Sequence, residues 1–156
     1  MNSGREGWSL SSTEPAGSPI RAWKALKESK GSVVFMSGSA ALGPKPAFAA
    51  VGSTNAAIIA LAKAFAEQGI KDGVQVNSIV PGAVMTDRRR SFLAKWAPAH
   101  NMTVEEAMKK FPEEAGISRY GQPEEIAELL GFMVSPAAKW MTGTSVRMDG
   151  GETKGI

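Results

Sequence analysis

Apolar residues in this chain form short continuous runs that are separated by longer stretches with helical spacing. Two runs rich in β-branched residues predict strands, Ser32–Met36 and Val74–Val80. The first is continuously apolar, which predicts a strand buried on both faces, as in a parallel sheet. Thr144–Met148 predicts a third strand, which an Asp-Gly-Gly turn ends. Between the first two runs, residues 47–68 are mostly helix formers, and Gly69 is the expected residue just past the helix end.

Capping signals predict where several of the other helices begin. Ser18-Pro19 is typical of an N-cap followed by proline at the first helical position, and that helix is expected to end near Ser29. Thr103 and Glu106 have the spacing of a capping box. Helices that alternate with strands predict an α/β fold with right-handed crossovers. We expect a truncated Rossmann-like, doubly wound parallel sheet of three strands with helices on both faces.

The chain of 156 residues is long enough for one domain with a modest core. Residues 1–18 are rich in Ser and Gly and show no periodicity, which favours a flexible N-terminal arm. The predicted domain therefore covers residues 19–156.

Composition excludes several kinds of site. The chain has no cysteine and a single histidine, His100, so thiolate metal sites, disulfides and a cysteine nucleophile are excluded, and no metal site is predicted. The net charge of +3 comes from scattered residues, which argues against nucleic acid as a partner. We found no apolar run of membrane-spanning length and no apolar leader, and therefore expect a cytoplasmic protein with no membrane partner.

Two longer segments carry a family resemblance. VNSIVPGAVMTD (Val76–Asp87) and ISRYGQPEEIAELLGFMVSPAAKWMTGTSVRMDGG (Ile117–Gly151) resemble the second half of a short-chain dehydrogenase/reductase. The spacing agrees over about residues 19–151. The resemblance implies an oxidoreductase that moves hydride between NAD or NADP and a small-molecule carbonyl or alcohol. It also implies that Pro81, Gly82, Val84 and Thr86 lie beside the nicotinamide ring.

The same resemblance shows what the chain lacks. Where the family has a catalytic Tyr-x-x-x-Lys, this sequence has Val51-Gly52-Ser53-Thr54-Asn55. Val51 has no exchangeable proton, and Asn55 could bond a ribose hydroxyl but carries no charge. The Gly-rich turn that holds the cofactor's pyrophosphate in the family is also missing from the sequence.

The family's substrate-polarising serine aligns, by strict counting from Val51, with Gly38. Ser37 and Ser39 flank that position, and a slip of one residue would bring Ser39 into the catalytic place. Ser39 and Asn55 are therefore the candidate catalytic residues; the alternative is that they only satisfy local backbone or pack on the helix. Arg88-Arg89-Arg90 could clamp an anionic substrate, or could be a solvated basic turn.

Two functions remain open at this point. The first is a short-chain dehydrogenase/reductase-like oxidoreductase that is expected to be inactive as this isolated chain. The second is a non-catalytic oligomerisation or binding module derived from that family. Because the Ser32–Met36 strand would lose a neighbour in a three-stranded sheet, a homo-oligomer is expected. The exposed strand edge would be paired with a second copy, covered by residues 1–30 or covered by another protein.

Overall fold

The computed structural model describes the backbone of residues 14–155 and the side chains of residues 21–155. The helices and strands, in chain order, are α1 (Glu14–Ser29), β1 (Ser32–Met36), α2 (Ala49–Asp72), β2 (Gln75–Pro81), α3 (Asp87–Ala99), α4 (Val104–Ala115), α5 (Pro123–Met133) and β3 (Ser145–Met148). Short 3₁₀ segments lie at Ser39–Ala41, Pro46–Phe48 and Pro136–Ala138. Most of the predicted N-terminal arm, residues 1–13, lies outside the described residues.

The three strands form one parallel sheet in the order β1-β2-β3. Val34 pairs with Asn77, and Ile79 pairs with Val146. Parallel neighbours require crossover connections, which α2 supplies between β1 and β2. The predicted α/β, Rossmann-like arrangement of three parallel strands is confirmed.

Helices cover both faces of the sheet. On one face, Trp23 of α1 and Phe65 of α2 pack with Val76 of β2. On the other face, Ile126 and Met133 of α5 pack with Ile79. Burial of these apolar side chains is the main favourable contribution to the free energy of folding.

A separate cluster lies beyond the carboxyl end of β2. Leu93 of α3 and Ala107 of α4 pack with Met85, Ile117 and Tyr120. Helices α3 and α4 thus pack on one another, and their cluster holds the segment that follows β2.

The predicted ends of two helices are wrong. The chain is already helical at Glu14, the first described residue, so Ser18-Pro19 lies inside α1 and does not cap its start. Helix α2 runs past Gly69 to Asp72 and ends at Gly73, whose φ is 74°. Gly69 instead permits close packing, since a Cβ there would lie 2.3 Å from the carbonyl oxygen of Val74.

The prediction that β1 is buried on both faces is also wrong. Its residues Ser32–Phe35 are only half-buried, and Met36 is 54% exposed, whereas the central residues of β2 are buried. The reason is topological, because β1 has one strand neighbour and one open edge. A sequence suited to an internal strand therefore stands at the edge of the described sheet.

Helix α2 is more apolar than the sequence analysis recognised. By length and composition alone, the helical segment Pro46–Asp72 could cross a membrane. This is weak evidence, since core helices of other proteins pass the same test, and Phe65 and Ala66 of this helix pack against the sheet. Only 17% of the apolar stretch of this helix is buried, so much of α2 faces outward.

Candidate functional site

The carboxyl ends of the three strands bring three loops together. The Ser37 amide donates to the carbonyl of Ile79 at 2.9 Å, and the Gly82 amide donates to the carbonyl of Met148 at 3.0 Å. The segments after β1, β2 and β3 are therefore neighbours. In open α/β sheets this edge is where ligands bind.

The residues after β1 lie against two partners, Asn55 and Glu152. The Ser37 hydroxyl donates to the backbone carbonyl of Asn55 at 2.8 Å, so it ties the loop to α2. Gly38 faces the Asn55 side chain, and a Cβ at position 38 would lie 2.9 Å from its Nδ2. The Ser39 hydroxyl donates to Oε2 of Glu152 at 3.2 Å. Of the two candidate serines, only Ser39 contacts the segment after β3.

The place of the missing acid–base pair lies on the first turns of α2. Val51 is 54% exposed there. A shallow depression of about 250 Å³ is lined by Ala50, Val51, Thr54 and Asn55. Asn55 is half-buried against Gly38. Neither side chain can exchange a proton near neutral pH, so this part of α2 offers hydrogen bonds and apolar contact but no general acid or base.

The predicted nicotinamide-side residues lie in one bend of the chain. Pro81 is the last residue of β2, and Gly82 follows it. A Cβ at Gly82 would come within 2.6 Å of the Asp149 Cβ and 2.7 Å of the Glu152 Oε2, so only glycine fits here. The bend therefore packs directly on the turn after β3.

Val84 and Thr86 hold the rest of the bend. Val84 bridges Gly121, because the Met85 amide donates to the Gly121 carbonyl and the Gly121 amide donates to the Ala83 carbonyl. Thr86 is the N-cap of α3, and its hydroxyl accepts from the Arg89 amide at 3.2 Å. The Val84 amide donates to no acceptor among the described residues.

Glu152 is a site residue that the sequence analysis missed. Its Oε2 accepts from the Ser39 hydroxyl at 3.2 Å and from the Ala83 amide at 3.0 Å. Within the described part of the chain no cation lies within salt-bridge distance of this carboxylate. The available signal was an acidic residue directly after an Asp-Gly-Gly turn, at the carboxyl end of a strand.

The turn that carries Glu152 is held by Asp149. Gly150 and Gly151 have φ values of 62° and 82°, and the Asp149 carboxylate accepts from the amides of Gly151 and Thr153. Burial pushes the pKa of Asp149 upward, but those hydrogen bonds and the Arg147 charge outweigh burial, so the net shift is downward. Asp149 is therefore a charged anchor for the turn.

One member of the arginine run, Arg89, has a packing contact in the structure. Arg88 and Arg90 are exposed, at opposite sides of Arg89 in the sequence. The Arg89 guanidinium lies over the Phe111 ring, 4.9 Å from its centroid, and 6.0 Å from the Tyr120 ring centroid. This cation–π contact supports packing between α3 and α4.

His100 and Tyr120 also have structural surroundings. The Nδ1 of His100 lies 2.9 Å from the carbonyl oxygen of Trp96, and the two rings stack. Tyr120 is buried in the α3–α4 cluster, where burial raises the pKa of its phenol. Tyr120 therefore does not replace the missing catalytic tyrosine of α2. Among the described residues, no three His, Asp or Glu side chains are grouped to hold a metal ion.

Comparison with known proteins identifies the family. A family model described as enoyl-(acyl carrier protein) reductase matches residues 13–153. An uncharacterized oxidoreductase of Bacillus subtilis is 30% identical over 135 residues, which cover 84% of this chain and 51% of that protein. The chain belongs to the short-chain dehydrogenase/reductase family. It spans about half the length of the curated family members it matches.

Solved short-chain dehydrogenase/reductase structures agree with the fold. A short-chain dehydrogenase family protein from Francisella tularensis is 33% identical with a TM-score of 0.80, and the match covers 89% of this chain and 59% of that chain. A short-chain oxidoreductase from Pseudomonas aeruginosa, bound to NADPH and containing an atypical catalytic center, is 26% identical with a TM-score of 0.73. That match covers 93% of this chain and 60% of the other.

Proposed function

We propose that this chain carries the nicotinamide-side bend of an NAD- or NADP-dependent oxidoreductase whose substrate is a small-molecule carbonyl or alcohol. The observation that carries the proposal is the meeting of three loops at the carboxyl edge. There, the Ser39 hydroxyl and the Ala83 amide converge on one oxygen atom, next to the bend formed by Pro81, Gly82, Val84 and Thr86. The NADPH in the Pseudomonas family member supports this cofactor class.

The described residues fit one part of such a cofactor. The unpartnered Val84 amide can donate to a carboxamide oxygen, and the Thr86 hydroxyl retains its own proton for donation after accepting from Arg89. When bound, the nicotinamide would give or take the hydride. The 156-residue sequence contains no Gly-rich turn to hold the phosphates, so affinity for the whole dinucleotide is expected to be weak.

We further propose that the isolated chain does not turn over substrate. Val51 has no exchangeable proton and Asn55 no charge, while Tyr120 is buried in the α3–α4 cluster. The carbonyl oxygen of a substrate would thus lack the proton donor that reduction requires at this place. Residues supplied by a second chain, or by a longer form of this one, would be needed for activity.

Titration with NADH and with NADPH, followed by calorimetry and by the fluorescence of the reduced nicotinamide, tests the proposal. We expect saturable binding of the cofactor, and we expect Thr86→Ala to weaken it. Addition of simple ketones should cause no consumption of cofactor. Thr103→Ala, which removes the N-cap hydroxyl of α4 in the same way but lies outside the bend, is the matched control. Failure of both cofactors to bind at millimolar concentration would remove the cofactor part of the proposal.

A non-catalytic oligomerisation or binding module is the second candidate function. It is favoured by the open edge of β1, whose apolar residues remain half-exposed, and by the exposed small side chains of α2. An unpaired strand edge recruits other strands, and small residues let a second helix approach closely. We propose that the chain forms a homo-oligomer. Analytical ultracentrifugation, which measures the mass of the species in solution, tests this.

The remaining partner and location proposals follow from composition. We propose a cytoplasmic protein that binds neither nucleic acid nor a membrane, since its charges are scattered and α2 packs against the sheet through Phe65 and Ala66. Fractionation of cells with and without salt washes would test both statements. Recovery of the protein in the membrane fraction after a salt wash would overturn the proposal that it binds no membrane.

A further inference from the structure

Glu152 supplies the oxygen atom on which two donors of the candidate site converge. The Ser39 hydroxyl and the Ala83 amide come from the loops after β1 and β2, and both point to Oε2 of Glu152 at 3.2 Å and 3.0 Å. Two fixed donors aimed at one oxygen are the arrangement by which proteins bind a carbonyl oxygen or an oxyanion. The chain fills this arrangement with its own carboxylate.

The backbone around Glu152 holds the carboxylate in that place. Gly82 permits the approach, because any Cβ at position 82 would lie 2.7 Å from the same oxygen. The Glu152 amide donates to the Asp149 carbonyl at 3.0 Å, and Lys154 donates to the carbonyls of Gly116 and Gly151. Hydrogen bonds therefore hold the backbone before and after Glu152, and they fix the position from which its side chain reaches the two donors.

The charge of Glu152 is not used in an ion pair. In the described part of the chain the nearby cations have other partners: Arg147 lies 3.8 Å from Asp149, and Lys154 is bonded to backbone carbonyls. A half-buried carboxylate without a cation is stabilised chiefly by the hydrogen bonds it accepts. The two donors of the site are consequently occupied in the resting chain.

We propose that Glu152 is an internal ligand of a two-donor oxygen site, and that a carbonyl-bearing ligand binds there only by displacing it. This deepens and rests on the proposed function, because it adds Glu152 as the residue that controls access of a substrate carbonyl to Ser39 and Ala83. A neutral ketone is the ligand class that fits once the carboxylate leaves. Glu152 acts by occupying the donors, and no covalent or redox step is involved.

The test uses ¹⁵N-labelled protein and cyclohexanone as the probe, without any nicotinamide cofactor. In Glu152→Ala, addition of the ketone is expected to shift the Ala83 amide resonance, and this shift should saturate as the ketone concentration rises. The apparent affinity for the ketone should be about tenfold or more above that of the unaltered chain. Glu128→Ala, which removes an exposed carboxylate on α5, is the matched control and should behave like the unaltered chain. The double variant Ser39→Ala/Glu152→Ala should lose most of the gain.

A second variant separates loss of the carboxylate from loss of folding. Glu152→Gln keeps the shape of the side chain while removing the charge, and it should give a smaller gain in ketone affinity than Glu152→Ala. Equal ketone binding by the unaltered chain and both variants, with folded spectra throughout, would overturn the proposal. The readout needs no cofactor. If Glu152→Ala binds ketone but neither NADH nor NADPH binds, the cofactor part of the proposed function fails and this inference stands.

Discussion

The indole Nε1 of Trp23 donates to Oδ2 of Asp72 at 2.8 Å, which joins the middle of α1 to the last residue of α2. Asp72 also accepts from Lys27 at 2.6 Å and from Gln68 at 2.8 Å. Its side chain is thus surrounded by donors from both helices. The packing of Trp23 against Phe65, with ring centroids 5.4 Å apart, lies next to this hydrogen-bonded group.

Asp72→Asn is expected to destabilise the chain. The amide keeps one acceptor oxygen, but it loses the charge that pairs with Lys27. It also places an NH₂ donor where three donor groups already converge. The midpoint of urea unfolding should therefore fall at pH 7. Glu67→Gln, which neutralises an exposed carboxylate on the same helix, should leave the midpoint almost unchanged, and an equal fall in both variants would contradict this role for Asp72.

Acid is expected to lower the stability of the folded chain by protonating the same carboxylate. The hydrogen bond from Lys27, followed by those from Trp23 and Gln68, holds the pKa of Asp72 well below its ordinary value of 3.8. A carboxyl group whose pKa is lowered by folding contributes stability that is fully present above about pH 3.8 and is lost as the pH falls further. The unfolding midpoint of the unaltered chain should therefore drop more steeply below pH 3.8 than that of Asp72→Asn; parallel pH curves would exclude the effect.

Restoring the family's acid–base residues should not make the isolated chain an enzyme. Val51→Tyr/Asn55→Lys puts a phenol and an ammonium on the first turns of α2, but the sequence still has no Gly-rich turn to hold the phosphates. Oxidation of NADPH in the presence of a ketone panel should stay at the background rate for the double variant and the unaltered chain. Robust turnover by the unaltered chain would show that another residue supplies the proton.

Much of the fold could be predicted from the sequence, whereas much of the site could not. The bounds of β1 and the Thr103–Glu106 capping box are determined by residues close to one another in the sequence, and both predictions are confirmed. The contact between Ser39 and Glu152 joins residues 113 positions apart, and no local pattern encodes it. The exposure of β1 was missed for a similar reason, because burial depends on how many strands flank it.

Tyr120 provides a test of how the α3–α4 cluster is stabilised. The residue is 6% exposed, yet its hydroxyl has no hydrogen-bond partner among the described residues. A buried hydroxyl without a partner lowers stability, so Tyr120→Phe should leave the free energy of unfolding unchanged or raise it by up to about 1 kcal/mol. Leu93→Ala, in the same cluster, should lower it by about 2–5 kcal/mol. A marked loss in Tyr120→Phe would mean that the hydroxyl is bonded in solution.

The segment from Pro81 to Gly116 is expected to be the first internal part of the chain that a protease cuts. Helices α3 and α4 pack mainly on each other rather than on the sheet, and they expose Arg88, Arg90, Lys109 and Lys110. Cleavage requires local unfolding, which costs least where few contacts join a segment to the rest of the domain. Limited trypsin digestion should therefore cut after Arg88–Arg90 or near Lys109-Lys110 before it cuts at Lys63 or Lys71 of α2, which is held against β1 and β2 along its length. Early cleavage inside α2, with α3 and α4 intact, would mean that the α3–α4 cluster is the more stable unit.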